Sequence, residues 1–280
     1  MKDKKNRKDR KYKLIAVDID GTLLNSRSEL TSRTQQAIYS ALDAGVIFVV
    51  STGRPLAGVE HLVALMDADL PFITYNGAVV VMGKSKRRLF SQMLPEHLCR
   101  EVVELGIARR VAVLLWRDAQ LYAPISTPKN DTYIKISRVT PMIEPDLDKL
   151  VRGGADKMLW CDGADRIYPL QNEMWEHFAG RLNCHTSHAQ LLEFVDIGVS
   201  KARAMEKLGA LYGIGRDEMM AIGDGYNDLS MIKYAGLGVA MANAVPEVLK
   251  EADFITRSND EDGVAHVIDT FVSHTSPASP

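Results

Sequence analysis

The chain has 280 residues, 46% of them hydrophobic and 25% charged, with no apolar run near the roughly 18 residues that span a bilayer. That excludes a collagen-like, coiled-coil or wholly disordered chain and leaves room for one large domain or two modest ones. The formal charge is −2 but unevenly spread: residues 1–13 hold eight basic side chains and two acidic ones, which leaves the remainder acidic. The basic leader, 1–11, reads as solvated and disordered, with contact to nucleic acid or an anionic membrane as the alternative. It carries no apolar h-region, so no signal peptide is expected. Cys99, Cys161 and Cys184 are odd in number and form no CxxC pair. A disulfide framework is therefore not expected, and a reducing cytoplasm fits.

In chain order, the apolar run within Lys13–Asp18 predicts a first strand. A helix follows over Thr31–Ala44, stopped by Gly45, and then a β-branched strand over Val46–Val50. Pro55 suits the first turn of a helix running to Met66. Phe72–Thr74 and Ala78–Met82 read as strands around Asn76-Gly77. From 84 to 189 the pattern changes. Turn residues separate strands such as Val111–Trp116 and Lys157–Cys161, with helices near Pro95–Arg109 and Pro169–Leu182. This segment reads as an inserted α+β domain.

The first pattern then resumes. Ser200–Leu211 predicts a helix, Met219–Ile222 a strand, Asn227–Tyr234 a helix and Gly238–Met241 a strand. Helices over Glu247–Glu251 and Gly263–Val272 close it, before a flexible Ser/Pro-rich tail, 273–280. Strands alternating with helices predict an α/β fold with a parallel sheet. The core domain is then 12–83 together with 190–272.

The chemistry gathers at strand ends. Asp18-Ile19-Asp20-Gly21-Thr22 follows the first strand, and ligands of open α/β sheets bind beyond the carboxyl ends of strands. Two carboxylates so close need a cation, and Mg²⁺ suits carboxylate oxygens and substrate phosphate. The competing interpretation is an acidic turn. Asp224-Gly225-Tyr226-Asn227-Asp228 repeats the placement after Met219–Gly223, which favours one shared site for a hard cation. Thr52 and Gly53, between a strand and a helix, form an anion-binding corner or, taken alone, a simple N-cap. Lys201 follows the N-cap Ser200 in a first helical turn, where a cation is disfavoured; taken alone it reads as a surface lysine. Cys184, His185 and His188 match no zinc spacing, and they read as structural, as do Trp116, Trp160 and Trp175.

Seven motifs in order carry a family resemblance: DIDGTLL at Asp18–Leu24, STGRP at Ser51–Pro55, TYNGA at Thr74–Ala78, GVSK at Gly198–Lys201, GDGYND at Gly223–Asp228, MANA at Met241–Ala244 and TRSNDEDGVA at Thr256–Ala265. The chain resembles the haloacid dehalogenase superfamily, specifically its Cof-type phosphatases with a large inserted C2B cap. The resemblance implies a Rossmann-like core and an α+β cap in which specificity resides. It implies an Mg²⁺-dependent phosphomonoesterase acting on small phosphorylated metabolites, sugar phosphates among them, through an aspartyl-phosphate. Asp18 would be the nucleophile and Asp20 the general acid and base. Mg²⁺ would be held by the Asp18 carboxylate, the Asp20 carbonyl and the Asp224 carboxylate, with Asp228 in support. Ile19, Thr52, Gly53, Lys201 and Asn227 would hold the phosphoryl oxygens, and Arg54 and Asn76 would meet the substrate. A sugar phosphomutase is the rival within the superfamily. A regulatory protein using its basic tail on nucleic acid is the rival outside it.

Overall fold

A computed structural model describes residues 12–272; the basic leader and the C-terminal tail lie outside the described residues. The chain divides into two compact units. Among the described residues, the first comprises 12–53, His61–Phe90 and 200–272; the second comprises Arg54–Glu60 and Ser91–Val199.

The first unit starts with β1 (Leu14–Asp18), fully buried along its length. Helix α1 (Ser32–Asp43) is capped by Thr31, whose Oγ1 accepts from the Thr34 amide, and it buries Ala37, Ile38 and Ala41 at helical spacing. Then come β2 (Ile47–Ser51), a 3₁₀ turn at Leu56–Val59, α2 (Glu60–Leu65), β3 (Pro71–Thr74), β4 (Val79–Met82) and β5 (Arg88–Ser91). The expected helix from Pro55 is thus a 3₁₀ turn leading into a short α-helix.

The second unit carries α3 (Glu96–Ala108), β6 (Ala112–Arg117), β7 (Gln120–Ala123), α4 (Asn130–Ser137), β8 (Met142–Ile143) and α5 (Leu147–Val151). It continues with β9 (Lys157–Cys161), α6 (Ala164–His177), β10 (Leu182–His188) and β11 (Leu191–Asp196). These strands form a six-stranded sheet in the order β10-β11-β9-β6-β7-β8. Leu98, Val102, Trp160, Ile167, Met174 and Phe194 belong to its apolar core. A buried Lys157–Glu193 ion pair, 2.8 Å, joins neighbouring strands of that sheet.

The chain returns to the first unit with α7 (Lys201–Tyr212), β12 (Met219–Gly223), α8 (Leu229–Tyr234), β13 (Leu237–Ala240), α9 (Pro246–Glu251), β14 (Phe254–Ile255) and α10 (Gly263–Phe271). The eight-stranded sheet runs β14-β13-β12-β1-β2-β3-β4-β5. From β14 to β3 the neighbours are parallel, whereas β4 is antiparallel to β3. The Tyr75–Gly77 turn is too short for a crossover, so it makes a hairpin.

Three details depart from the sequence expectations. The second unit ends at Val199 rather than 189, because β11 pairs with β9 and β10 in the smaller sheet, and β5 keeps residues to Phe90 in the larger one. Helix α6 begins at Ala164, with Pro169 inside it; Ile167, Leu170 and Met174 bury one face and outweigh the proline's missing amide. Trp175 is 66% exposed, unlike Trp116 and Trp160, which are fully buried.

Candidate active site

The site forms where β12, β1, β2 and β3 end. All four are parallel neighbours, so their carboxyl ends emerge along one edge of the sheet. The chain leaves β1 towards β2 on one side, while β12 flanks β1 on the other. Such a switch point leaves a crevice at the strand ends.

Asp18 is the last residue of β1 and is buried. A wide helical turn, Ile19–Leu23, then reverses the chain: Ile19 is buried at its start, Asp20 is exposed, and Gly21 has a φ of 78°. A Cβ on Gly21 would stand 2.4 Å from Asp224 Oδ2, so only glycine permits both this backbone and this approach. Asp224 follows β12, and its Oδ1 accepts from Thr22 Oγ1 at 2.7 Å. Asn243 donates from Nδ2 to the Gly21 carbonyl at 2.8 Å, holding the same turn from the end of β13. The sequence reading missed Thr22 and Asn243; both lie inside recognised motifs, yet neither residue type marks a partner 202 or 222 positions away.

Lys201 is fully buried. Its Nζ donates to Asp18 Oδ1 at 2.5 Å and to Asp228 Oδ1 at 2.6 Å, so one ammonium serves two carboxylates. The other oxygen of Asp228 accepts from the amides of Asp224 and Gly225, at 3.0 and 2.9 Å. Asp228 therefore fixes both the lysine and the Asp224 loop. Burial pushes the Asp18 carboxyl up to about 8, against the pull of Lys201 and aided by Asp228 and Asp224. Burial also raises Asp224, opposed by its bond from Thr22. Burial opposes the Lys201 charge, but Asp18 and Asp228 outweigh it and raise its pKa.

Oxygens of Asp18, Asp224 and Asp228 lie within 4.8 Å of one another. Three carboxylates against one lysine leave room for a divalent charge, and an all-oxygen donor set selects a hard cation such as Mg²⁺. The residues fit that ion.

The remaining predicted residues are placed as follows. Thr52 is buried at the end of β2, its amide donating to Ile73 O at 2.8 Å. Gly53 adjoins it, with the Asn76 side chain against its Cα. Asn227 is exposed, and its Nδ2 donates to Asn76 Oδ1 at 3.2 Å. Arg54 is exposed and groups with the second unit rather than with these residues. Cys184 is buried in the second unit's core on β10, and His185 lies on the same strand near Glu193.

A family profile described as haloacid dehalogenase-like hydrolase matches residues 15–268. The 5-amino-6-(5-phospho-D-ribitylamino)uracil phosphatase YwtE of Bacillus subtilis (strain 168) is 30% identical, over 93% of this chain and 98% of that protein. Among solved structures, a haloacid dehalogenase-like hydrolase from Bacteroides thetaiotaomicron superposes with a TM-score of 0.80 at 33% identity, covering 92% of this chain and 99% of that one. The HAD subclass IIB sugar phosphatase BT4131 shares the fold, with a TM-score of 0.75 at 22% identity over 92% and 98% of the two chains.

Proposed function

The chain belongs to the haloacid dehalogenase-like hydrolase family and is a hydrolase of phosphoric monoesters, and from that premise we propose that it is an Mg²⁺-dependent phosphatase of sugar or polyol phosphates working through an aspartyl-phosphate. The observation that carries this reading is the convergence of Asp18, Asp224 and Asp228 around the buried Lys201 at adjacent strand ends. When bound, Mg²⁺ would neutralise charge on the phosphoryl oxygens, held by the Asp18 carboxylate, the Asp20 carbonyl and the Asp224 carboxylate, with Asp228 in support.

In this reading an Asp18 oxygen attacks phosphorus, and the phosphorus–oxygen bond to the leaving group breaks. Asp20, exposed beside it, gives its proton to the departing alkoxide. Asp20 then takes a proton from water, whose oxygen attacks the aspartyl-phosphate and releases inorganic phosphate. Ile19, Thr52, Gly53, Asn227 and Lys201 hold the transferring oxygens, as phosphoryl transfer rests mainly on positioning and charge. Asp18 starts this cycle ionised, which its burial opposes and both Lys201 and the cation favour.

The substrate class draws support from YwtE, whose named substrate carries its phosphate on a ribityl chain, a polyol. Three cysteines left as free, buried thiols support a reducing, cytoplasmic setting.

Phosphate release from a panel of sugar, polyol and nucleoside phosphates tests the reading. Sugar or polyol phosphates are expected to lead, and removing Mg²⁺ with a chelator is expected to stop turnover. Asp18→Asn is expected to abolish it, and Asp20→Asn to slow it by about 10²–10⁴-fold. Near-normal activity in Asp18→Asn would sink the covalent route.

A further inference from the structure

Three consecutive residues between β3 and β4 have positive φ: Tyr75 at 52°, Asn76 at 56° and Gly77 at 110°. Tyrosine seldom occupies that region, asparagine somewhat more readily. Such a conformation persists only where the surroundings impose it. Here they do so from three sides. The Asn76 amide donates to the Thr52 carbonyl at 3.0 Å. Its side-chain oxygen accepts from Asn227 at 3.2 Å, and the carboxamide fills the space beside Gly53, 2.9 Å from where a Cβ would stand. Gly77 lies against the backbone entering α7: a Cβ there would be 2.2 Å from the Ser200 carbonyl oxygen and 3.0 Å from the Lys201 amide. Thr74 closes the hairpin behind them, its Oγ1 donating to Val79 O at 3.2 Å.

One tripeptide therefore touches the Thr52–Gly53 corner, Asn227 and the start of α7. These are the segments assigned above to the phosphoryl oxygens, and they are distant in sequence. We propose that Tyr75–Gly77 is a positioning clip for the phosphate site, in which Asn76 sets Asn227 against Thr52–Gly53 and Gly77 sets the level from which Lys201 projects. The inference rests on the phosphatase reading. It gives Asn76 a different part from the sequence expectation that it meets the substrate: the residue acts through the groups it holds.

The test uses the full chain with Mg²⁺ at one saturating concentration. The probes are p-nitrophenyl phosphate, a hydrolysed sugar phosphate and inorganic phosphate as inhibitor. Inorganic phosphate has no leaving group, so it reports on the phosphate site alone. Asn76→Gly removes both side-chain contacts and is compatible with the positive φ. It is expected to weaken phosphate inhibition by about tenfold, the worth of roughly one hydrogen bond. It is expected to lower kcat/KM on both esters by a similar factor, with the unfolding midpoint within about 2 °C of the parent. In an Asn227→Ala background the same change is expected to cost less than about twofold, because the two residues act as one unit. Gly77→Ala is expected to lower kcat at least as much; should it fail to fold, the Asn76–Asn227 cycle still decides.

Unchanged phosphate inhibition with a loss confined to the sugar phosphate would make Asn76 a leaving-group ligand and overturn the proposal. So would fully additive losses in the double variant, or a fall in the unfolding midpoint large enough to account for the lost activity. If the parent neither hydrolyses these esters nor binds inorganic phosphate, the phosphatase reading itself fails, and this inference with it.

Discussion

Lys201 opens α7, where its charge meets the positive end of the helix dipole. Two carboxylates at 2.5 and 2.6 Å offset that cost and the cost of burial. Lys201→Met keeps most of the volume but leaves Asp18 and Asp228 facing each other in a dry site. Breaking a buried pair in this way costs about 3–5 kcal/mol, so a large fall in the urea midpoint is expected together with lost turnover. Asp18 also ties stability to pH. In metal-free protein its carboxyl is pushed up to about 8 from an ordinary value of 3.8. The folded chain then keeps a proton that the unfolded chain releases. This contribution is complete below the unfolded value and lost as the pH rises through the folded one. Asp18→Asn has no such proton, so in chelator its urea midpoint is expected to fall less than the parent's between about pH 5 and 8.5. Parallel curves for the two proteins would assign the slope to other groups.

At the scale of elements, the site depends on where each helix and strand stops. Ser200 Oγ accepts from the Arg203 amide at 3.1 Å and so starts α7 at Lys201. Without that cap the first turn frays, and the first turn is what carries the lysine. Ser200→Ala is expected to cost about 1 kcal/mol in denaturant unfolding, with Ser200→Thr retaining most of it. Equal midpoints for the three proteins would show that the burial of Lys201, rather than the cap, sets the helix start. The hairpin of β3 and β4 works similarly. Its short turn makes β4 antiparallel and carries Tyr75 and Asn76, both with left-handed backbone, to Thr52 and Asn227.

At the scale of the molecule, the larger sheet is assembled from two stretches of sequence with the second unit's strands between them. Each unit has its own apolar cluster: Leu14, Val49, Ile73, Met205 and Met219 in the first; Leu98, Val102, Trp160 and Phe194 in the second. The segments that enter and leave the second unit meet within it, Gln92 Nε2 donating to Asp196 Oδ1 at 3.0 Å. Replacing residues 92–199 with a short Gly/Ser link is therefore expected to leave a core that unfolds cooperatively. Its denaturant m-value should be reduced in keeping with the smaller buried surface. A chain that shows no transition would mean that the first unit needs the second in order to fold.

The sequence by itself determined the α/β class and the pairing of Asp18 with Asp224. Short apolar runs that end in acidic, glycine-containing turns are local patterns, and each declares a strand end wherever the strand finally lies. It also declared the inserted segment, through the break in strand–helix alternation. Tertiary structure alone decided what those patterns meet. Taken alone Lys201 reads as a surface lysine, and its motif points only to phosphate; that α7 carries it between two carboxylates, one 183 and one 27 residues away, is decided by the fold. The limit of the inserted unit moved from 189 to 199 because β11 is buried on both faces and suits either sheet by composition; only its hydrogen bonds to β9 and β10 choose. Pro169 reads locally as a helix start, yet the burial of Ile167, Leu170 and Met174 holds it inside α6. Asn76-Gly77 favours positive φ locally, but no preference of tyrosine predicts the left-handed backbone of Tyr75. It is imposed by three distant segments packing on one turn, and contacts of that kind exist only once the chain has folded.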